Sequence, residues 1–154
     1  MIARFVRGDV GQSMIEFALT LPLLVFSLLG GAEMARAYAI QLAVQNGARA
    51  GAEGAALDST PTSVEATAHA QNEMNRTPGL TATEATITVS FTRSDLTTAC
   101  SGAASTAVAG TSTIAIPCFA NVRVQYTYHT LVPWPGLPNT FYFNRVTHVR
   151  RYQT

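Results

Sequence analysis

The stretch Gly11-Gln12-Ser13-Met14-Ile15-Glu16-Phe17, with the apolar run Ala18 to Ala32 behind it, restricts this chain more than any other feature. From Met14 to Ala32 only Glu16 carries a charge. A helix needs about 20 mostly apolar residues to cross a bilayer core, so the run is just long enough. A carboxylate at the lip of such a helix is costly unless it is paired, and residues of this kind are usually functional. Glu16 is therefore the most informative side chain in the sequence.

Arg4 and Arg7 lie ahead of the run, with Asp9 following them. Positive charge before a first apolar helix keeps that end in the cytoplasm and sends the remainder outside the inner membrane. Three readings of this layout are open. A secretory signal would be cut after small residues, a rule that Ala35-Arg36-Ala37 satisfies, and would release a soluble domain. The apolar run exceeds the usual ~7–15 residues of such signals, and the helical pattern continues through the cut. An uncleaved anchor would instead tether a periplasmic binding module. The third reading places the cut between Gly11 and Gln12, ahead of the apolar run.

The chain of 154 residues has room for one anchor and one modest folded portion. Its net charge is +1 and charged residues make up 12%, about half the usual share. All ten basic residues are arginine and they are dispersed, so no basic patch points to nucleic acid.

Beyond Ala32, the residues Ala35, Ala39, Ala43, Gly47, Gly51 and Ala55 recur every four positions, a ridge over which helix backbones can approach closely. Met34, Tyr38 and Leu42 form a bulkier row beside it. The ridge can serve packing between subunits, a helix covering its own C-terminal sheet, or both. A helix from Gln12 to near Ala56 would reach about 65 Å, roughly twice a bilayer core. Pro22 removes one helical hydrogen bond inside the run, and Gly30-Gly31 is a second weak point.

Asp58-Ser59-Thr60-Pro61 breaks the helix, and Thr62-Ser63-Val64-Glu65 reads as a capping box opening a second helix to about Arg76. Its sparse apolar residues (Val64, Ala66, Ala68, Ala70, Met74) describe a surface helix. Period-two patterning follows, with Ile87, Val89 and Phe91 on one face and Val122, Val124, Tyr126 and Tyr128 on another strand. Ser94 to Pro117 is a long small-residue stretch in which Ile114 and Ile116 form a short-strand candidate. Pro133 to Pro138 is a rigid turn around Trp134, which either plugs the end of the sheet or touches a partner. Phe141 to Tyr152 returns as a last strand, whose Arg145, Arg150 and Arg151 read as a solvated, charge-protected edge. The fold class expected is α+β: a long N-terminal helix, a short helix and a small antiparallel sheet of about three strands.

Two cysteines, Cys100 and Cys118, in a chain with an N-terminal membrane segment point to a disulfide. The bridge would close about 18 residues and contribute on the order of 3 kcal/mol. His69, His129 and His148 lack metal-ligand spacing, although His129 and His148 could meet on adjacent strands. No nucleophile elbow, phosphate loop or zinc-protease motif is present. The expectation is a non-enzyme without cofactor or metal.

The string GQSMIEFALTLPLL, with the helical continuation containing Gln45-Asn46-Gly47-Ala48-Arg49, closely resembles TadE-like proteins. These are minor pilins or pseudopilins of the tight-adherence (Flp, type IVb) pilus system, and the resemblance covers about Arg7 to Ala56. It implies a prepilin-type leader over 1–11, a long helix over 12–57 that spans the membrane to about residue 32, and an extracytoplasmic domain over 58–154. It further implies cutting by a membrane-embedded prepilin peptidase between Gly11 and Gln12. Glu16, the fifth residue after that cut, would then offset the new Gln12 amine of its own or a neighbouring subunit. Phe17, Pro22 and the ridge Ala35, Ala39, Ala43, Gly47 and Gly51 would belong to the assembling helix. The partners implied are the peptidase, sister pilin-like subunits and membrane lipid, with no nucleic acid.

Overall fold

The computed structural model describes residues 9–58, 62–100, 117–133 and 138–151. Along the chain come helix α1 (Asp9–Leu57), helix α2 (Ser63–Met74), a 3-10 turn (Ala82–Glu84) and strands β1 (Thr86–Arg93), β2 (Cys118–His129) and β3 (Thr140–Arg150). This is the expected α+β arrangement. Two compact units divide it, residues 1–36 and 37–154.

Within the first unit the described structure is helix, and every described side chain from Gln12 to Leu29 is exposed. Leucines fill this stretch, yet Leu19 and Leu28 are each 74% accessible. Among the described residues, α1 is the one helix long and apolar enough to cross a membrane. The helix continues through Pro22. Thr20 turns its hydroxyl back on the helix and donates to the carbonyls of Glu16 and Phe17, so no polar group of that side chain is left over.

The second unit is built on the opposite principle. Ile40, Val44, Ala48 and Ala52 are fully buried, packed with Met74 of α2 and with Val122 and Val124 of β2. Tyr126, Tyr128, Leu80 and Ala82 complete this core. A smaller cluster of Ala55, Ala56, Ala66 and Ala120 adjoins Phe91 and Val149.

α2 begins as its sequence requires. The Thr62 hydroxyl accepts from the Glu65 amide at 3.2 Å and donates to the Glu65 carboxylate at 2.7 Å, occupying one of the orphan donors of the first turn. The helix stops at Met74, two residues before the expected Arg76. Gly79, at φ 79°, makes the left-handed turn that leads the chain on. α2 is a surface helix as expected, with one buried face of Ala66, Ala70 and Met74; the small side chains of Ala66 and Ala70 let it lie close to α1 at Gly51.

The sheet has the order β1-β2-β3 with both pairings antiparallel. Val89 faces Val122 and Ile87 faces Val124, while Tyr126 and Tyr128 oppose Phe143 and Phe141. The Tyr128 ring stacks near both phenylalanines, at 6.4 and 6.5 Å between centroids. All these side chains share the core face, as period two demands. Cys100 and Cys118 form a disulfide with their Cα atoms 6.1 Å apart. The Cys100 amide also donates to the Phe91 carbonyl, so the chain after β1 first folds back along that strand.

Two further expectations change. His129 pairs with Thr140 and His148 with Asn121, so the register separates the two histidines instead of joining them. Arg151 is not part of a solvated edge: it is 8% exposed and its guanidinium lies 5.7 Å from the centre of the Phe91 ring. Ile114, Ile116 and Trp134, for which a strand and a plug or partner contact were expected, lie outside the described residues.

Candidate functional site

The candidate site is α1 itself, beginning where the sequence concentrates its unusual residues. Helix starts at Asp9, so Gly11 and the peptide bond after it are already helical. Gln12 and Glu16, one turn apart, sit on the same helix face, and the Gln12 side-chain amide donates to a Glu16 carboxylate oxygen at 3.1 Å. Phe17, beside Glu16 in sequence, is 60% exposed. Carboxylate, amide and aromatic ring are thus displayed at the head of an apolar rod, where a partner or lipid can reach them.

The small-residue ridge divides in two. Ala35 and Ala39 are exposed, whereas Ala43, Gly47, Gly51 and Ala55 are buried. A Cβ on Gly51 would come within 2.9 Å of the Ala66 carbonyl, 3.1 Å of the Ala70 methyl and 3.2 Å of a Val122 methyl. On Gly47 it would strike the Met74 side chain at 2.5 Å. By contrast, Gly31 has nothing within 4 Å. The outer part of the ridge therefore meets α2 and β2 of its own chain, which is one of the two uses the sequence left open.

The ion pair on α1 beside this packing stays on the surface. Arg49 Nε donates to Glu53 at 2.6 Å one turn on; that hydrogen bond, and then the carboxylate charge, raises the Arg49 pKa above its ordinary value. At the far end of α1 no basic residue occupies the last turn. Arg151 supplies the charge from the other end of the chain, donating from Nη2 to the Asp58 carbonyl at 3.1 Å. A cation at a helix C-terminus is favourable because the unpaired carbonyls there carry partial negative charge. The Arg151 amide also donates to the Cys118 carbonyl at 2.9 Å, which fastens β3, the disulfide strand and α1 together.

Sequence reasoning missed Arg151, because a buried arginine in a run of exposed ones carries no local mark. It also missed the network Thr92–Asn121–His148 on the outer face of the sheet. A signal for that face did exist: Arg123 and Arg150, which the register places on it, follow the last acidic residue, Asp95. Among the described residues, no three His, Cys, Asp or Glu side chains converge to hold a metal ion.

An exposed apolar helix with a polar, acidic head, continuing into a small disulfide-closed sheet domain, defines an α+β protein with one helix able to cross a membrane. Residues 11–53 match the family model described as TadE-like protein, in agreement with the resemblance seen in the sequence. The match begins at Gly11 and ends inside the packed part of α1, leaving α2 and the sheet outside it. No curated protein and no solved structure matches the chain.

Proposed function

We propose that this chain is a TadE-like minor pilin or pseudopilin that takes part in assembling a tight-adherence (Flp, type IVb) pilus or a related secretion machine at the bacterial inner membrane. The observation that carries the reading is the coincidence of the TadE-like match over 11–53 with an apolar helix whose side chains find no cover among the described residues. Residues 12–32 lie in the bilayer, the end bearing Arg4 and Arg7 faces the cytoplasm, and the sheet domain is extracytoplasmic.

A membrane-embedded prepilin peptidase removes residues 1–11. Proteases act on extended backbone, so the first helical turn unwinds at the cut, and Gly11 lowers that cost because glycine is a poor helix former, by about 1 kcal/mol against alanine. The new Gln12 amine then takes the place beside Glu16 that the Gln12 side-chain amide occupies in the uncut helix. In a water-poor environment the pair attracts strongly, and it can equally form between neighbouring subunits. Phe17, Ala35 and Ala39 offer the exposed surface on which sister subunits pack. The partners are the peptidase, those subunits and membrane lipid; none of these roles requires a catalytic centre.

N-terminal sequencing of the protein recovered from membranes tests the reading. A start at Gln12 is expected, and Glu16→Ala should leave the processed protein in the membrane but out of the assembled fibre. An intact Met1, or a start at Tyr38 after the Ala35-Arg36-Ala37 site, would overturn it.

A further inference from the structure

We propose that the outer face of the sheet is a binding site for an acidic saccharide, centred on the groove between Arg123 and His148. This face is the one turned away from the core, and its residues follow from the register: Thr88 lies beside Arg123 and Arg123 beside Val146, while Ser90 lies beside Asn121 and Asn121 beside His148. These side chains line a cavity of about 290 Å³, closed on one side by Leu96. That volume is at the small end of ligand clefts, enough for one sugar ring.

Three features make it a built site. Asn121 and Thr92 are polar and at least nine-tenths buried, and the Asn121 amide donates to the Thr92 hydroxyl at 2.6 Å. The Asn121 carbonyl oxygen can only accept, so the proton it shares with His148 sits on the imidazole Nδ1. That fixes the ring and leaves Nε2 as its remaining polar atom. Leu96, finally, holds φ 58°, a left-handed backbone that leucine adopts at a cost, and its side chain forms the groove wall.

The occupant follows from charge and composition. No aspartate or glutamate lies in any of the three strands, so no side chain of the sheet itself neutralises Arg123, and a fork of guanidinium donors suits a carboxylate. Around it stand hydroxyls and amides, Thr86, Gln125 and Asn144 in the next row and Thr127 and Tyr142 beyond. Groups that both donate and accept match a polyhydroxylated ring. The apolar walls, Val146 and Leu96, offer only small surfaces of the kind that meet a ring's C–H face. A peptide would ask for deeper apolar pockets, and this face has none among the described residues.

The test uses the full chain in detergent micelles with trigalacturonate as probe, against neutral maltotriose, inorganic phosphate and hexaglutamate. Saturable binding of trigalacturonate is expected, with amide shifts at Ser90, Asn121, Arg123 and His148, and with maltotriose at least tenfold weaker. Arg123→Gln should weaken binding by about tenfold or more while leaving the thermal melt unchanged, since the residue is exposed. If that variant fails to fold, Ser90→Ala, at an exposed hydroxyl, should still lower affinity measurably. Absence of saturable binding, equal binding of phosphate or hexaglutamate, or shifts confined to other faces would each overturn the proposal.

Discussion

α1 is one helix made on two plans, and the contrast between its parts is the clearest guide to what the molecule is for. Before residue 37 it carries leucine, valine and phenylalanine, with nothing in the described chain to cover them. After residue 37 alanine and glycine become frequent, and one face of the helix, from Ile40 to Ala56, is buried. Water would not tolerate the first pattern as a free surface, since apolar patches beyond a few hundred Å² mark interaction or membrane sites. Burial in the later part demands small residues because α2 and β2 lie so close. Composition along a helix thus records what surrounds each part: bulk where the described chain supplies no contacts, and small residues where its own backbone lies close.

The sharpest way to break that comparison is to delete equivalent apolar volume from each part. Ile40→Ala removes a fully buried side chain and should cost the folded sheet domain about 2–5 kcal/mol. Leu24→Ala, at a residue 59% exposed, should leave the melt within about 0.5 kcal/mol. Thermal unfolding of the full chain in micelles measures both. Equal losses would mean that the two parts are held in the same way.

Glycine gives a finer version of the test. Gly51→Ala gains helix propensity, but its methyl would press on the Ala66 carbonyl, which cannot move aside without shifting α2. The net effect should be a loss of about 1–3 kcal/mol. Gly47→Ala meets the flexible end of Met74, so repacking should reduce the loss to well below that of Gly51→Ala. Gly31→Ala meets nothing and should stabilise its helix by up to about 1 kcal/mol, seen as slower amide exchange around residue 31. A reversed order for Gly51 and Gly31 would refute the division of the ridge.

How much of this was legible in the sequence depends on how local each signal is. The capping box at Thr62 and the alternation of Val122 to His129 are written within a few residues, and both were read correctly. β2 nevertheless starts four residues earlier, at Cys118; there the alternation that marks the strand is interrupted by three successive buried residues, Ala120, Asn121 and Val122. The ridge was visible, but small residues look the same whether the partner is another subunit or α2, so its use was open until the packing was seen. Arg151 was illegible for a related reason. Its partners, Phe91 and the Asp58 carbonyl, are distant in sequence, and only tertiary contact distinguishes it from Arg150, its exposed neighbour. At the candidate site, Gln12 and Glu16 were legible as a helical pair because their spacing alone sets their proximity.

Acid separates a third kind of region from both parts of α1, one held by ionised hydrogen bonding instead of by apolar contact. In the turn after β1 the Asp95 carboxylate accepts from the Thr98 hydroxyl at 2.5 Å, from the Thr98 amide at 2.9 Å and from the Thr97 amide at 3.1 Å. The Thr98 hydroxyl contributes most, and together these donors lower the Asp95 pKa to about 2. A carboxylate whose folded value lies below its unfolded value, near ~3.9, stabilises fully above that unfolded value. The contribution is then lost as pH falls through about 2. Protonation removes an acceptor from three donors at an exposed turn, so the effect is local and the smallest of those described here. Titration by NMR should show the Thr97 and Thr98 amides moving with a midpoint of about 2, while the amides of Ala48 in α1 and Val122 in β2 stay fixed. A midpoint close to 4 would show that the turn does not hold its carboxylate in this way.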